Sequence, residues 1–157
     1  MGEVLSREAL VRRVAQDRAA GRTIAFANGC FDLLHVGHVR YLESAAREAD
    51  ILVVAINDDE SVRRLKGRGR PILEAQHRAE LVAALRCVDY VVVNRWPTAV
   101  EVILVLKPAV YVKGGEYRGR TTPELEAEAR ALHGVGGRLA YTDATEMHTT
   151  EALRMLG

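Results

Sequence analysis

Six consecutive apolar residues, Ile51-Leu52-Val53-Val54-Ala55-Ile56, constrain this chain more than any other stretch. A strand turns alternate side chains to opposite faces of its sheet, so a run apolar at every position needs cover on both faces. Central strands of parallel sheets, with helices packed above and below, provide that cover. The run falls far short of the roughly 18 apolar residues that a membrane span requires.

The remaining pattern agrees with this. Thr23 to Ala27, Tyr90 to Val93, Val110 to Val112 and Arg138 to Tyr141 read as further strands. Helical spacing lies between them. Ser6 caps a helix to about Ala20, with Leu10, Val11 and Val14 on one face and Gly21 ending it. Val39, Leu42, Ala45 and Ala49 mark the next helix, and Ser61 to Leu65 a short one. Gln76 to Leu85 turns Leu81, Val82 and Leu85 inward. Thr98 caps a helix through Leu106, Pro123 opens one to about Leu132, and Thr149 to Leu156 is the last. Strands alternating with helices predict an α/β fold: a Rossmann-like, doubly wound, five-stranded parallel sheet in an α/β/α sandwich, joined by right-handed crossovers. The 157 residues suit a single domain, with a helix in residues 1–21 packed on the sheet.

Composition narrows the partners. Twenty-two basic against 21 acidic residues leave a net charge of +1, which argues against a dedicated nucleic-acid binder. No apolar run suggests a membrane span or a signal core, so no membrane partner is expected. Two cysteines, Cys30 and Cys87, make no disulfide framework, and a cytoplasmic setting is expected.

In open parallel sheets, ligands bind beyond the carboxyl ends of the strands. The unusual polar residues cluster there: Asn28 to His38 after the first strand, Asn57-Asp58 after the second, Lys113 to Tyr117 after the fourth, Asp143 to Thr150 after the fifth. The dinucleotide fingerprint G-x-G-x-x-G is absent after the first strand, and neither a phosphate-loop G-x-x-x-x-G-K-[ST] nor a G-x-S-x-G elbow occurs. His35 and His38 fall at or just inside a helix N-terminus, on one face, where the dipole and open N–H groups favour anions. Gly37 between them permits close approach of a ligand. Imidazole N–H groups there can donate to phosphate oxygens as charge builds in a transition state. Two satisfied surface histidines, one cap with one bystander, or a zinc-binding pair are the other readings of the same spacing. Lys66-Gly67-Arg68-Gly69-Arg70, after Arg63 and Arg64, suits a lid over polyphosphate; a solvated basic loop is its plainer reading. Arg78 reads as a phosphate ligand or a surface ion pair. Lys113-Gly114-Gly115-Glu116 has the glycines for close approach, and Thr149-Thr150 can cradle an anion at the last helix or simply cap it.

The run N-G-C-F-D-L-L-H-V-G-H resembles the signature of the HxGH nucleotidyltransferase superfamily, which includes cytidylyltransferases and pantetheine-phosphate adenylyltransferases. Similarity runs from about Arg22 to Leu156. The stretches A-I-N-D-D-E-S-V-R-R-L-K-G-R-G-R-P, Q-H-R-A-E-L-V-A-A-L-R-C-V-D-Y-V-V and K-P-A-V-Y-V-K-G-G-E-Y look most like the adenylyltransferase domain of ADP-heptose synthases. This resemblance implies transfer of AMP from ATP, with Mg²⁺, to a sugar 1-phosphate such as heptose 1-phosphate. It implies that His35, His38 and Lys66 are catalytic. Asn28, Gly29, Cys30, Phe31, Gly37, Arg78, Lys113, Gly114, Gly115, Glu116, Thr149 and Thr150 would bind nucleotide, and Asp32, Asn57, Asp58 and Arg70 the acceptor. No protein metal ligand is implied. A homodimer is expected, as is a separate sugar kinase that supplies the acceptor.

The pattern departs from glycerol-phosphate cytidylyltransferases in two places. Their G-D-D-W stands here as Gly114-Gly115-Glu116-Tyr117, and their R-T-E-G-I-S-T-T as Asp143 to Thr150, with His148 in place of the serine. Cytidylyl transfer to glycerol 3-phosphate or another small phosphate or phosphonate is the alternative, and a nucleotide-binding regulator without catalysis a third.

Overall fold

Parallel strands form the centre of the computed structural model, which describes residues 2–143. The expected last helix, with Thr149 and Thr150, lies outside the described residues. The elements run β1 (Glu3–Val4), α1 (Arg7–Ala19), β2 (Ile24–Gly29), α2 (Val36–Ala46), β3 (Ile51–Asn57), α3 (Asp59–Lys66), α4 (Ala75–Ala83), β4 (Tyr90–Asn94), α5 (Val100–Leu106), β5 (Val110–Lys113), α6 (Pro123–Gly134) and β6 (Arg138–Tyr141). Every pairing is parallel, in the order β1-β4-β3-β2-β5-β6.

The two faces follow from strand alternation. Leu52, Val54 and Ile56 of β3 join Ala25 and Ala27 of β2 and pack on Leu42 and Ala45 of α2 and Ala79 and Val82 of α4. Ile51, Val53 and Ala55 join Ile24 and Phe26 and pack on Leu10 and Val14 of α1, Val102, Ile103 and Leu106 of α5, and Leu132 of α6. From Leu52 to Ile56 every residue is at most 1% exposed, which accounts for the unbroken apolar run. Full burial of each such side chain contributes roughly 1.5–3 kcal/mol.

The sheet has six strands among the described residues rather than the expected five. The extra one, β1, is two residues long and pairs with β4 at the edge, too short to show any periodicity. Three helix details also differ. Leu81 and Val11 are 45% and 39% exposed instead of inward. The helix after the basic loop is Ala75–Ala83, and Ala99 rather than Thr98 caps α5. Thr98 Oγ1 accepts from the Val100 amide at 3.3 Å, one residue before its expected role.

The direction in which successive strands are added reverses at β2. Going outward from β2, one side carries β3 and β4, the other β5 and β6. A crevice opens at the carboxyl end of such a switch point, and the stretch Asn28 to His38 leaves β2 there.

Candidate active site

A cavity of about 550 Å³ occupies that crevice, within the usual range for small-molecule sites. Asn28, Gly29, Cys30, Phe31, Asp32, His35, Gly37 and His38 line it from the first turn, Asn57 from the end of β3, Lys66 and Arg70 from the basic loop, and Lys113, Gly114 and Glu116 from the end of β5. Three of the four segments that the sequence nominates thus meet at one place. The fourth, apart from Asp143, lies outside the described residues.

The histidines build the N-terminus of α2. His35 is the N-cap residue, extended at φ −141°, and its Nδ1 accepts from the Gly37 amide at 3.1 Å. His38 Nδ1 accepts in return from the His35 amide at 3.3 Å. This is the reciprocal logic of a capping box, with imidazoles in place of Ser and Glu. The rings stack at 3.9 Å between centroids. An Nδ1 that accepts an N–H bears no proton, so the neutral ring carries it on Nε2. The cap therefore selects the Nε2–H tautomer of each neutral ring. Capping uses only Nδ1 of each ring, so it is compatible with a donor role at Nε2.

Phe31 packs beside His38 of this pair. It takes a left-handed φ of +50°, uncommon for a bulky residue. Its ring lies 5.4 Å from His38 and 6.4 Å from Tyr41. A Cβ on Gly29 would come within 2.8 Å of that ring, so the glycine is what lets Phe31 fold back.

On the β3 side, the Asp32 carboxylate is 1% exposed. It accepts from the amides of Ile72 (2.9 and 2.8 Å) and Leu73 (2.9 Å) and from Arg70 Nε (2.7 Å). Burial opposes its charge, but the amides of Leu73 and Ile72 and the guanidinium of Arg70 outweigh burial and hold the carboxyl below its ordinary range.

Two predicted ligands are engaged elsewhere. Arg78 is wholly buried and donates from Nε to Leu73 O (2.8 Å), from Nη1 to Cys30 O (2.7 Å) and Asn57 O (2.8 Å), and from Nη2 to Asp59 (2.6 Å). It ties the ends of β2 and β3 to the basic loop and does not line the cavity, so neither a phosphate ligand nor a surface ion pair describes it. Asp58 caps α3, accepting from the Ser61 amide at 3.0 Å, and is likewise absent from the lining. Gly115 also lies outside it and begins a short 3-10 turn, Gly115–Tyr117.

On the β5 side, Lys113 Nζ donates to Glu128 Oε1 (3.0 Å) and the Tyr111 hydroxyl (3.2 Å). It also sits 4.5 and 4.9 Å from the ring centroids of Tyr111 and Tyr117. Burial, then the neighbouring Glu128, push the Tyr111 hydroxyl well up. Burial likewise raises Tyr41, which stays a donor to Val112 O at 2.7 Å. A Cβ on Gly114 would collide with the Glu116 carboxylate folded over it.

Sequence reasoning missed several lining residues: Tyr41, Pro97, Thr98, Ala99, Thr122 and Glu128 among them. Tyr41 was within reach, three residues beyond His38 on the same helix face. Pro97 to Ala99 follow the end of β4, where the carboxyl-end rule also points. Glu128 had no local signal. Among the described residues no group of three His, Cys, Asp or Glu side chains has metal-holding geometry, and no helix is long and apolar enough to cross a membrane.

Comparison with known proteins agrees with this fold. Bifunctional protein HldE of Syntrophotalea carbinolica is 46% identical over 144 residues, covering 92% of this chain and 29% of that protein. The protein of the same name from Alkalilimnicola ehrlichii is 47% identical over 150 residues, covering 96% and 31%. The chain therefore spans less than a third of the length of these relatives. In fold it is similar to a lipopolysaccharide core biosynthesis protein from Thermoplasma volcanium, with a TM-score of 0.65 at 23% identity, covering 82% of this chain and 100% of that one. A pantoate-beta-alanine ligase from Francisella tularensis shares the fold at a TM-score of 0.55 and 10% identity, covering 94% and 69%. The cytidylyltransferase-like family matches residues 26–151, which takes in the switch-point crevice and both histidines, and the chain belongs to that family of nucleotidyltransferases.

Proposed function

We propose that this domain transfers the adenylyl group of MgATP to a sugar 1-phosphate, with heptose 1-phosphate as acceptor, releasing an ADP-sugar and pyrophosphate. The observation that carries the reading is the mutual cap of His35 and His38, which selects the Nε2–H tautomer of each neutral ring at a helix N-terminus lining the switch-point cavity. An acceptor phosphate oxygen attacks the α-phosphorus of ATP. The bond from that phosphorus to the bridging oxygen breaks, and pyrophosphate leaves with the electron pair. Charge grows on the α-phosphate oxygens, where the two imidazoles donate. Lys66, on the exposed flank of the cavity, neutralises polyphosphate. Mg²⁺ arrives on the triphosphate as part of the substrate. No covalent intermediate is required, because positioning and fixed donors supply the catalysis.

Lys113 to Glu116, beside β5, supports placing the nucleoside on that side, with the acceptor toward Asn57 and Arg70. The choice of adenine and of heptose rests on the K-G-G-E-Y run and on the high identity to HldE proteins. A separate sugar kinase that phosphorylates the anomeric hydroxyl would supply the sugar 1-phosphate. The test is a panel of four nucleoside triphosphates against heptose 1-phosphate, other sugar phosphates and glycerol 3-phosphate, read by pyrophosphate release. ATP with heptose 1-phosphate is expected to be fastest. Faster turnover of CTP with glycerol 3-phosphate would replace this reading with the cytidylyl one, and no release from any pair would overturn it.

A further inference from the structure

We propose that Arg70 is a phosphate ligand of the cavity, and that Asp32 orients it without touching substrate. Arg70 lines the same cavity as the histidines and Lys66. Its side chain is only 12% exposed, and Asp32 beside it only 1%. The carboxylate takes the Nε edge of the guanidinium at 2.7 Å. Arg70 Nη2, by contrast, is buried with no hydrogen-bonding partner among the described residues. A buried charged donor without an acceptor is costly, so the arrangement is one that a bound anion completes. Phosphate fits it, since the planar fork offers parallel donors to two oxygens.

Asp32 is poorly suited to contact substrate itself. Three N–H groups besides any ligand already occupy its oxygens, and its negative charge would repel a phosphate. What it does is fix a rotamer. The amides of Ile72 and Leu73 immobilise the carboxylate, and the immobilised carboxylate aims a long, flexible side chain. The ligand is a phosphate group from one of two sources: the acceptor monoester or the polyphosphate of the nucleotide. The assignment deepens the nucleotidyltransfer reading, but its first test does not depend on turnover.

Inorganic phosphate and pyrophosphate serve as probes, titrated by calorimetry into the wild-type chain, Arg70→Gln, Arg70→Lys and Asp32→Asn, with each fold checked by thermal unfolding. Arg70→Gln is expected to weaken binding by at least about tenfold and Asp32→Asn by about fivefold, as losses of one charge-assisted pair and of its orientation. Arg70→Lys keeps the charge but not the fork, and is expected to fall between wild type and Arg70→Gln. If Arg70→Gln does not fold, Arg70→Lys decides. Wild-type affinity in the deciding variant overturns the ligand assignment, and wild-type affinity in a folded Asp32→Asn overturns the positioning role. In turnover, a raised KM for the acceptor alone assigns the acceptor phosphate. A raised KM for ATP with weaker pyrophosphate inhibition assigns the polyphosphate. Unchanged KM values for both, at unchanged inhibition, overturn the proposal. Phosphate binding that depends on Arg70 in a protein that transfers no nucleotide would sink the proposed activity and leave this site standing.

Discussion

His35 caps α2, and the proposed reaction asks the same ring to act as a donor, two roles that substitutions separate. His35→Ala removes the cap as well as a donor. It is expected to cost about 1 kcal/mol of stability, and turnover is expected to fall by about 10²–10³-fold, the usual loss for one fixed transition-state donor. His35→Asn keeps a capping side chain, so its thermal midpoint should return toward wild type while pyrophosphate release stays low. Recovery of both together would mean that His35 only caps. Phe31 and Gly29 matter through His38. Gly29→Ala forces the Phe31 ring to move, and a shift of about 1 Å at a catalytic group can cost about 100-fold. The expected result is a loss of kcat with KM for ATP changed by less than about threefold. A KM effect alone would place Phe31 against the nucleotide instead.

The basic loop between α3 and α4 is held by two buried charges, and each gives a measurable signature. Arg78 bonds three carbonyls and Asp59 from a fully buried position. Arg78→Met leaves those carbonyls without their donor and is expected to lower unfolding free energy by about 3–5 kcal/mol, measured in urea. A loss below about 1 kcal/mol would show that water replaces it readily. Asp32 gives a pH signature. Its folded-state carboxyl lies below the ordinary range, so its contribution is complete above about pH 4, the unfolded value, and is lost as pH falls through the lower folded value. Hydrogen exchange at the Ile72 and Leu73 amides should therefore stay protected near neutrality and accelerate in acid beyond the change in intrinsic rate. In Asp32→Asn the acceleration should already be present at pH 7. Protection unchanged by that substitution would remove Asp32 from the loop's support.

At the scale of the whole molecule, a ligand that spans the crevice ties the two halves of the sheet together. A nucleotide at a hundredfold its Kd stabilises the folded state by about 2.7 kcal/mol, a rise of about 5–10 °C in Tm for a chain of this length. ATP should give that rise more readily than CTP, and no rise at millimolar ATP would argue against the nucleotide site. The layered fold was legible without coordinates, because the runs at Ile51 to Ile56 and Thr23 to Ala27 can only be strands covered on both faces. The crevice was legible too, since polar residues gathered after several strands and a parallel sheet brings strand ends to one edge. What local pattern could not decide was which way each polar group faces and what satisfies it. Arg78 and Asp32 read as substrate ligands, yet partners 5 to 48 positions away in the chain claim the first and 38 to 41 away the second. Glu128 enters the site only because the fold brings α6 within reach of Tyr111 and Lys113 on β5. Periodicity and motif spacing are properties of neighbours along the chain, so the sequence by itself determined the elements and the turn that bears the histidines. Burial and hydrogen-bond satisfaction are settled by residues distant in sequence, so only the tertiary structure decided which charges hold the site together and which, like Arg70 Nη2, keep a donor without a partner.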